Sequence, residues 1–201
     1  MVRFLLLRHG KSVNNGEKRY SGQFDTPLSE TGHLQAKQVA EFLLAKEKIH
    51  TVYSSDLSRA MDTARPTAEA FGLEIIPRKD LREIDVGIFQ NRLYDEIQAE
   101  YPAEREGYRF RNQRIPGGEC YGDVAERGWK ALKEIAPHHE GQTVLISTHG
   151  AMIRCLFCLW NGLDFSQVNV IDEVKNASLT EVFFEDGAVR LGFVGSVEHL
   201  K

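Results

Sequence analysis

The chain has 201 residues, 42% of them hydrophobic and 27% charged, a balance that excludes wholesale disorder. A chain of this length buries roughly 70% of the surface its unfolded form exposes, so a real core is available. The formal net charge of -4 provides no global attraction to nucleic acid or anionic membrane, so any anionic ligand has to be drawn by local cations.

Val2 to Leu7 is apolar at nearly every position after Arg3, as parallel strands covered on both faces are. The run stops on Arg8-His9-Gly10, and it is too short for a signal-peptide core or a membrane span. In "TPLSETGHLQAKQVAEFLLAKEK", Leu34, Val39, Phe42 and Leu43 recur at helical spacing with Ser29 or Thr31 available as N-cap, which predicts a long amphipathic helix. Thr51 to Ser54 is a short β-rich run, followed by Ser and Asp caps and a helix from near Leu57 that carries Arg59 in its first turn. "LEIIPRKDLREIDVG" supplies a strand and an extended loop, and Leu93 to Tyr101 reads as helical.

"RFRNQRIPGGE" is the most loop-like stretch, with Pro and paired Gly. A helix over "CYGDVAERGWKALKEIA" ends at Pro137, and "QTVLIS" is a second buried-strand run, stopping at Thr148-His149-Gly150. A helix from about Ala151 to Trp160 follows. "SLTEVFFEDGAVRLGFV" is two β-rich runs joined at Asp186-Gly187, a strong hairpin signal. Strands alternating with helices predict a mainly parallel sheet covered on both faces, with a late antiparallel hairpin. No repeat or linker interrupts the chain, so residues 1–201 read as a single domain.

Cys120, Cys155 and Cys158 are too few and unevenly numbered for a disulfide framework, which predicts a reducing, cytoplasmic setting. The Cys155-x-x-Cys158 spacing lies in an apolar helical stretch with no second Cys/His pair to complete a zinc site, so these are expected to be buried structural thiols. His138 and His139 adjoin Pro137 and read as a solvated helix end. His33, His50 and His199 lie among polar residues and receive no role.

Ligands of open parallel sheets bind beyond the carboxyl ends of the strands. There the first strand delivers Arg8 and His9, the second is followed by Arg59, and "VLIS" delivers His149 and Gly150. Strand-to-helix turns add unpaired backbone N–H groups and the positive end of a helix dipole. Two arginines, two histidines and such amides make an anion pocket, and crowding four potential cations is costly unless a dianion fills the gap. "LREIDVG" offers two acids, Glu83 and Asp85, whose spacing of two places both on one side of an extended segment. Spacing alone leaves that choice open.

"LLLRHGKSVNN", "YSGQFDTPLSETGHLQA", "VYSSDLSRAMDTA", "LREIDVGIFQ", "PGGE" and "VLISTHGAMIR" together resemble the histidine phosphatase superfamily, in its phosphoglycerate mutase-like branch. The resemblance runs from the first strand to about Arg154. It implies a three-layer α/β/α sandwich and a phosphohistidine mechanism without metal or other cofactor. By resemblance His9 is the nucleophile, Arg8, Arg59 and His149 clamp the phosphoryl oxygens, and Glu83, not Asp85, is the proton donor. Asn15 matches a phosphate-pocket amide, and Ser21 and Gly22 a substrate-contacting pair.

His9 has to be unprotonated at one nitrogen to attack, whereas His149 is expected to serve as a cation. Two positions depart from the family pattern: Lys11 stands where Glu is common, and Cys120 where Ser is. The short stretch between the Glu83 block and the second histidine favours a phosphatase of small phosphomonoesters over a 2,3-bisphosphoglycerate-dependent mutase, which carries a longer covering insertion. Arg105, Arg109, Arg111 and Arg114 in that stretch offer a contact for a substrate carboxylate or second phosphate. A non-catalytic module that binds phosphoryl groups is the alternative of another class, and the joint presence of His9 and Glu83 argues against it.

Overall fold

The computed structural model describes residues 1–171 and 174–200. Strands β1 (Val2–Arg8), β2 (Thr51–Ser55), β3 (Ile75–Arg78), β4 (Thr143–Thr148), β5 (Leu179–Glu185) and β6 (Ala188–Leu191) form one six-stranded sheet in the order β3-β2-β4-β1-β5-β6. The first four strands in that order run parallel; β5 is antiparallel to β1, and β6 to β5. The turn between β5 and β6 is Asp186-Gly187, both at positive φ (50° and 79°), as a two-residue hairpin turn of matching twist requires.

The helices are α1 (Val13–Glu17), α2 (Glu30–Lys46), α3 (Ser58–Phe71), α4 (Tyr94–Glu100), α5 (Pro102–Arg111), α6 (Tyr121–Ile135) and α7 (Gly150–Asn161). None is long and apolar enough to cross a membrane.

Why β1 is apolar throughout follows from the strand period of two. Phe4 and Leu6 point to the face covered by α6 and α7, where they pack with Val144, Ile146, Leu132, Met152 and Ile153. Leu5 and Leu7 point the other way, onto α2 and α3, with Val52, Leu145, Val39, Leu43 and Ala64. The two apolar layers make the α/β/α sandwich.

Three local expectations need correction, and one choice left open is settled. In α2 the buried stripe is Ala36, Val39, Ala40 and Leu43, and Leu34 is 62% exposed; small residues let the helix approach the sheet closely. Ser29, not Thr31, caps it, its Oγ accepting the Gly32 N–H. Helix α3 has no cap from its own neighbours, because Asp25 comes across to accept the Ser58 N–H at 2.8 Å while Asp56 is engaged by Arg82. Helix α5 runs through Arg111 into the stretch expected as loop; Pro102 starts it, where a missing N–H costs nothing, and Asn112 ends it at φ 50°.

Three histidines outside the site, His50, His139 and His199, are structural, whereas His33 and His138 are exposed. His139 is buried, with Nε2 3.0 Å from Tyr53 Oη and Nδ1 2.9 Å from Gln142 Oε1. His50 Nδ1 accepts the Thr143 N–H, and the buried His199 holds the Ala177 carbonyl at 2.8 Å. Cys155 and Cys158 are buried free thiols, as expected.

Candidate active site

Strands β1 and β4 pair in parallel with Arg8 level with Thr148. His9 and His149, one residue further along each, therefore leave the sheet side by side, with ring centroids 5.1 Å apart. The backbone beneath them is pinned. The His9 N–H reaches the Thr148 carbonyl at 2.9 Å, and the Gly10 N–H reaches Thr63 Oγ1 of α3 at 2.9 Å. Glycine is required at position 10 because a Cβ there would lie 2.7 Å from the Gly32 carbonyl oxygen, where α2 begins.

His9 Nδ1 lies 2.7 Å from the Gly10 carbonyl, an acceptor only. The ring proton therefore sits on Nδ1, and Nε2 presents its lone pair to the cavity. Burial pushes His9 well below the usual imidazole range, and the Arg59 and Arg8 guanidinia push it further. The free base is thus the resting form.

His149 lies behind the His9 ring, fully buried, with Nε2 2.8 Å from Ser55 Oγ and Nδ1 without a partner. Burial again acts first, followed by Arg59, and lowers it well below the usual range. The expected cation is therefore neutral under the influence of the protein groups alone; only an anion against it would reverse that.

The two arginines are held by backbone carbonyls. Arg8 Nη1 donates to Val174 O at 2.7 Å; Arg59 donates to Phe24 O at 2.9 Å and Gly22 O at 2.7 Å. Burial brings Arg8 down to about 10, assisted by Arg154 and opposed by Glu83, and lowers Arg59 likewise.

Glu83 faces the same cavity. Its Oε1 accepts the Ile84 N–H at 2.9 Å and the Ala151 N–H at 3.2 Å, at the positive end of α7. Asp85 is spent locally: its Oδ1 accepts the Gly87 N–H at 2.9 Å and it does not line the cavity. Burial geometry thus separates two acids that spacing left equivalent.

Arg8, His9, Asn15, Ser21, Gly22, Arg59, Glu83 and Gly150 all line one cavity of about 260 Å³. Asn15 is oriented by Ser12, the cap of α1: the two exchange side-chain and backbone hydrogen bonds, and Asn176 donates to Asn15 Oδ1 at 3.3 Å. The acceptor end of Asn15 is occupied, leaving its amide N–H groups for a ligand. Lys11 is exposed and lies off the lining, so the exchange of Glu for Lys does not alter the cavity wall. Cys120 stands at the N-cap of α6.

Of the arginine cluster, Arg105 and Arg109 reach the lining, whereas Arg114 pairs with Asp123 at the surface at 2.7 Å. The Arg111 side chain is outside what is described. Sequence reasoning missed Arg19, Tyr20, Tyr94, Arg154 and Asn169, which complete the outer wall. Their signal was weak, since Tyr94, Arg154 and Asn169 sit in helical turns, and Arg19 and Tyr20 in an irregular connection, that local pattern explains without a site.

Buried polar groups in folded proteins are nearly always paired. Here Arg8 Nε, Ser21 Oγ, Arg59 Nε and Arg154 Nε, on residues that line this one cavity, are buried without partners among the described residues, as is Nδ1 of His149, which lies off the lining beside the His9 ring. Such a ring of donors beside an imidazole lone pair fits a tetrahedral oxyanion. Among the described residues no three His, Cys, Asp or Glu side chains gather as a metal ion would need.

The family model for the histidine phosphatase superfamily, branch 1, matches residues 4–196. The chain is 36% identical over 205 residues to a metal-independent phosphoserine phosphatase of Arabidopsis thaliana, covering 100% of this chain and 84% of that protein. A mycobacterial glucosyl-3-phosphoglycerate phosphatase in complex with VO3 superimposes with a TM-score of 0.87 at 31% identity, covering 96% and 99% of the two chains. YhfR of Bacillus stearothermophilus does so with a TM-score of 0.94 at 28% identity over both full chains. The chain belongs to the histidine phosphatase superfamily, branch 1.

Proposed function

We propose that the chain is a single-domain phosphatase that hydrolyses small phosphomonoesters through a phosphohistidine on His9. The observation that carries this reading is the His9 tautomer: Nδ1 is tied to Gly10 O, so Nε2 is the free nucleophile in a ring of cationic donors. In the first step Nε2 bonds to phosphorus and the ester P–O bond breaks, while Glu83 passes its proton to the departing alkoxide. Arg8, Arg59, Asn15 and His149 hold the non-bridging oxygens, where charge gathers in the transition state. Gly150 leaves room at the start of α7; a Cβ there would lie 3.2 Å from Arg8 Nε. In the second step water attacks phosphorus, Glu83 takes its proton, the P–N bond breaks and phosphate leaves.

The substrate carries a carboxylate near the ester. Arg154 supports this, its Nε buried and unpaired on the outer wall beside Arg109 and Asn169, and phosphoserine and glucosyl-3-phosphoglycerate, named for two relatives, are both carboxylated phosphomonoesters. A rapid-quench experiment with labelled substrate tests the mechanism. An acid-labile, base-stable phosphoenzyme is expected in the parent and absent in His9→Ala; full turnover by His9→Ala refutes it.

A further inference from the structure

We propose that Arg127, locked by Glu119, is the positioning residue for the proton donor: it fixes the backbone on both sides of Glu83 and so sets where the carboxyl meets the leaving oxygen. This inference rests on the reading of Glu83 as that donor.

A guanidinium has five N–H donors in a rigid fork, and Arg127 uses all five here. Nε donates to Glu119 Oε1 at 2.8 Å and Nη2 to Glu119 Oε2 at 3.0 Å. Nη1 donates to the carbonyls of Asp80 and Arg82 at 2.9 and 2.7 Å, and Nη2 to the carbonyl of Glu83 itself at 2.9 Å. Glu119 then reaches past the donor, its Oε2 accepting the Asp85 N–H at 2.8 Å and its own N–H donating to the Asp85 carbonyl at 2.9 Å. One ion pair therefore grips the chain before, at and after Glu83.

The grip falls on a segment without regular structure, whose other ties are the Arg82–Asp56 pair, a Gln23 Nε2 donation to the Glu83 carbonyl at 3.2 Å and the buried side chains of Ile84 and Val86. From Arg82 to Val86 the chain forms no helix or strand, and Glu83 is held through its side chain by two backbone N–H groups alone. The partner loop, Pro116 to Glu119, is packed against the segment so tightly that a Cβ on Gly118 would lie 2.4 Å from the Asp85 carbonyl oxygen. Arg127 lies on α6 and does not line the cavity; its action is through Glu83. An error of about 1 Å in such a group costs about 10²-fold in rate.

The test uses a series of aryl and alkyl phosphates of graded leaving-group acidity, with parent, Glu83→Gln, Arg127→Met, Arg127→Lys and Glu119→Gln. Glu83→Gln should lose rate steeply with alkyl phosphates and little with p-nitrophenyl phosphate, whose leaving group departs without a proton. Arg127→Met should reproduce that selectivity, losing about 10²-fold with alkyl phosphates while the inhibition constant of inorganic phosphate stays unchanged. Arg127→Lys, which keeps the charge without the fork, should fall between. Glu119→Gln keeps the size of the pair and should show the same pattern more weakly, so the inference stays testable if Arg127→Met does not fold. Adding Arg127→Met to Glu83→Gln should cost nothing further with alkyl phosphates. If Glu83→Gln is selective but the Arg127 and Glu119 variants lose rate equally on all substrates, the positioning role is wrong. If Glu83→Gln shows no selectivity, the donor assignment itself has failed and the inference falls with it.

Discussion

Acidification from pH 7.5 to 5.5 is expected to destabilise the folded chain steeply, with His9 and His149 as the main cause. Both imidazoles are held well below their ordinary value, by burial first and by Arg59 next. In the unfolded chain each takes up a proton near pH 6.5. Below that pH the unfolded state therefore binds more protons than the folded one, and unfolding becomes easier. The stabilisation present above the unfolded value is lost as pH falls through it towards the depressed folded values. The limiting slope is about 1.4 kcal/mol per pH unit for each group, so about 2.8 kcal/mol for the two together, a large part of a typical stability of 5–15 kcal/mol. His199, also lowered by burial, acts in the same direction. Asp56 is lowered by its hydrogen bonds to Arg82 and titrates below this window.

Urea titrations at half-unit pH steps measure the slope. His149→Gln should reduce it by about 1.4 kcal/mol per pH unit, and added inorganic phosphate should flatten it by placing an anion against the ring. A stability that is level between pH 6.5 and 5.5, or a slope indifferent to His149→Gln, refutes the placement of two neutral imidazoles in the site.

Three further outcomes are expected. Arg59→Met removes the donors to Gly22 O and Phe24 O and should cost about 2 kcal/mol in thermal or urea unfolding, together with a large weakening of inorganic phosphate as a competitive inhibitor. Gly32→Ala places a Cβ 2.2 Å from the Lys11 carbonyl oxygen, an overpacking expected to cost about 1–3 kcal/mol; unchanged stability would mean that the α2 start does not brace the His9 turn. Arg154→Met should raise KM for phosphoserine about tenfold, which corresponds to about 1.4 kcal/mol, and leave p-nitrophenyl phosphate nearly unaffected; equal effects on both would remove the carboxylate contact.

The parts of the site that were legible in the sequence are those carried by strand ends. Arg8, His9 and His149 follow runs whose apolar character declares a buried parallel strand, and the sheet's register does the rest by setting the two histidines abreast. Arg59 was legible because it opens a helix immediately after such a run. Where function depends on contacts between distant loops, local pattern has no purchase. Asp85 and Glu83 differ only in what their surroundings do with them, one turned into its own loop and the other to the start of α7. Arg154 reads as an ordinary helix residue until the cavity is seen beside it. His139 reads as solvent-facing beside Pro137, yet Tyr53 of β2 draws it inside. Helix α5 was hidden because five of its ten residues are charged, and Tyr101-Pro102 looks like a break when it is a start.

The charge state of the site explains how four basic groups are tolerated in so small a space. Both imidazoles are neutral, and the Arg8 and Arg59 guanidinia lie against backbone carbonyls, so these four groups carry two fixed positive charges and not four. The remaining positive charge exists as an unused protonation site on His149. Ser55 Oγ can donate to His149 Nε2 or accept from it by rotating its hydroxyl, so either charge state of the ring is accommodated without moving the backbone. On the proposed reading, a phosphate dianion against Nδ1 would raise the His149 pKa, and binding should be accompanied by proton uptake from solvent. Calorimetric titration of inorganic phosphate near neutral pH, in buffers of different ionisation enthalpy, counts those protons directly. Uptake approaching one proton in the parent and none in His149→Gln is expected once phosphate's own titration is subtracted; no uptake in the parent would mean that His149 serves as a neutral N–H donor, and that the arginines alone balance the ligand.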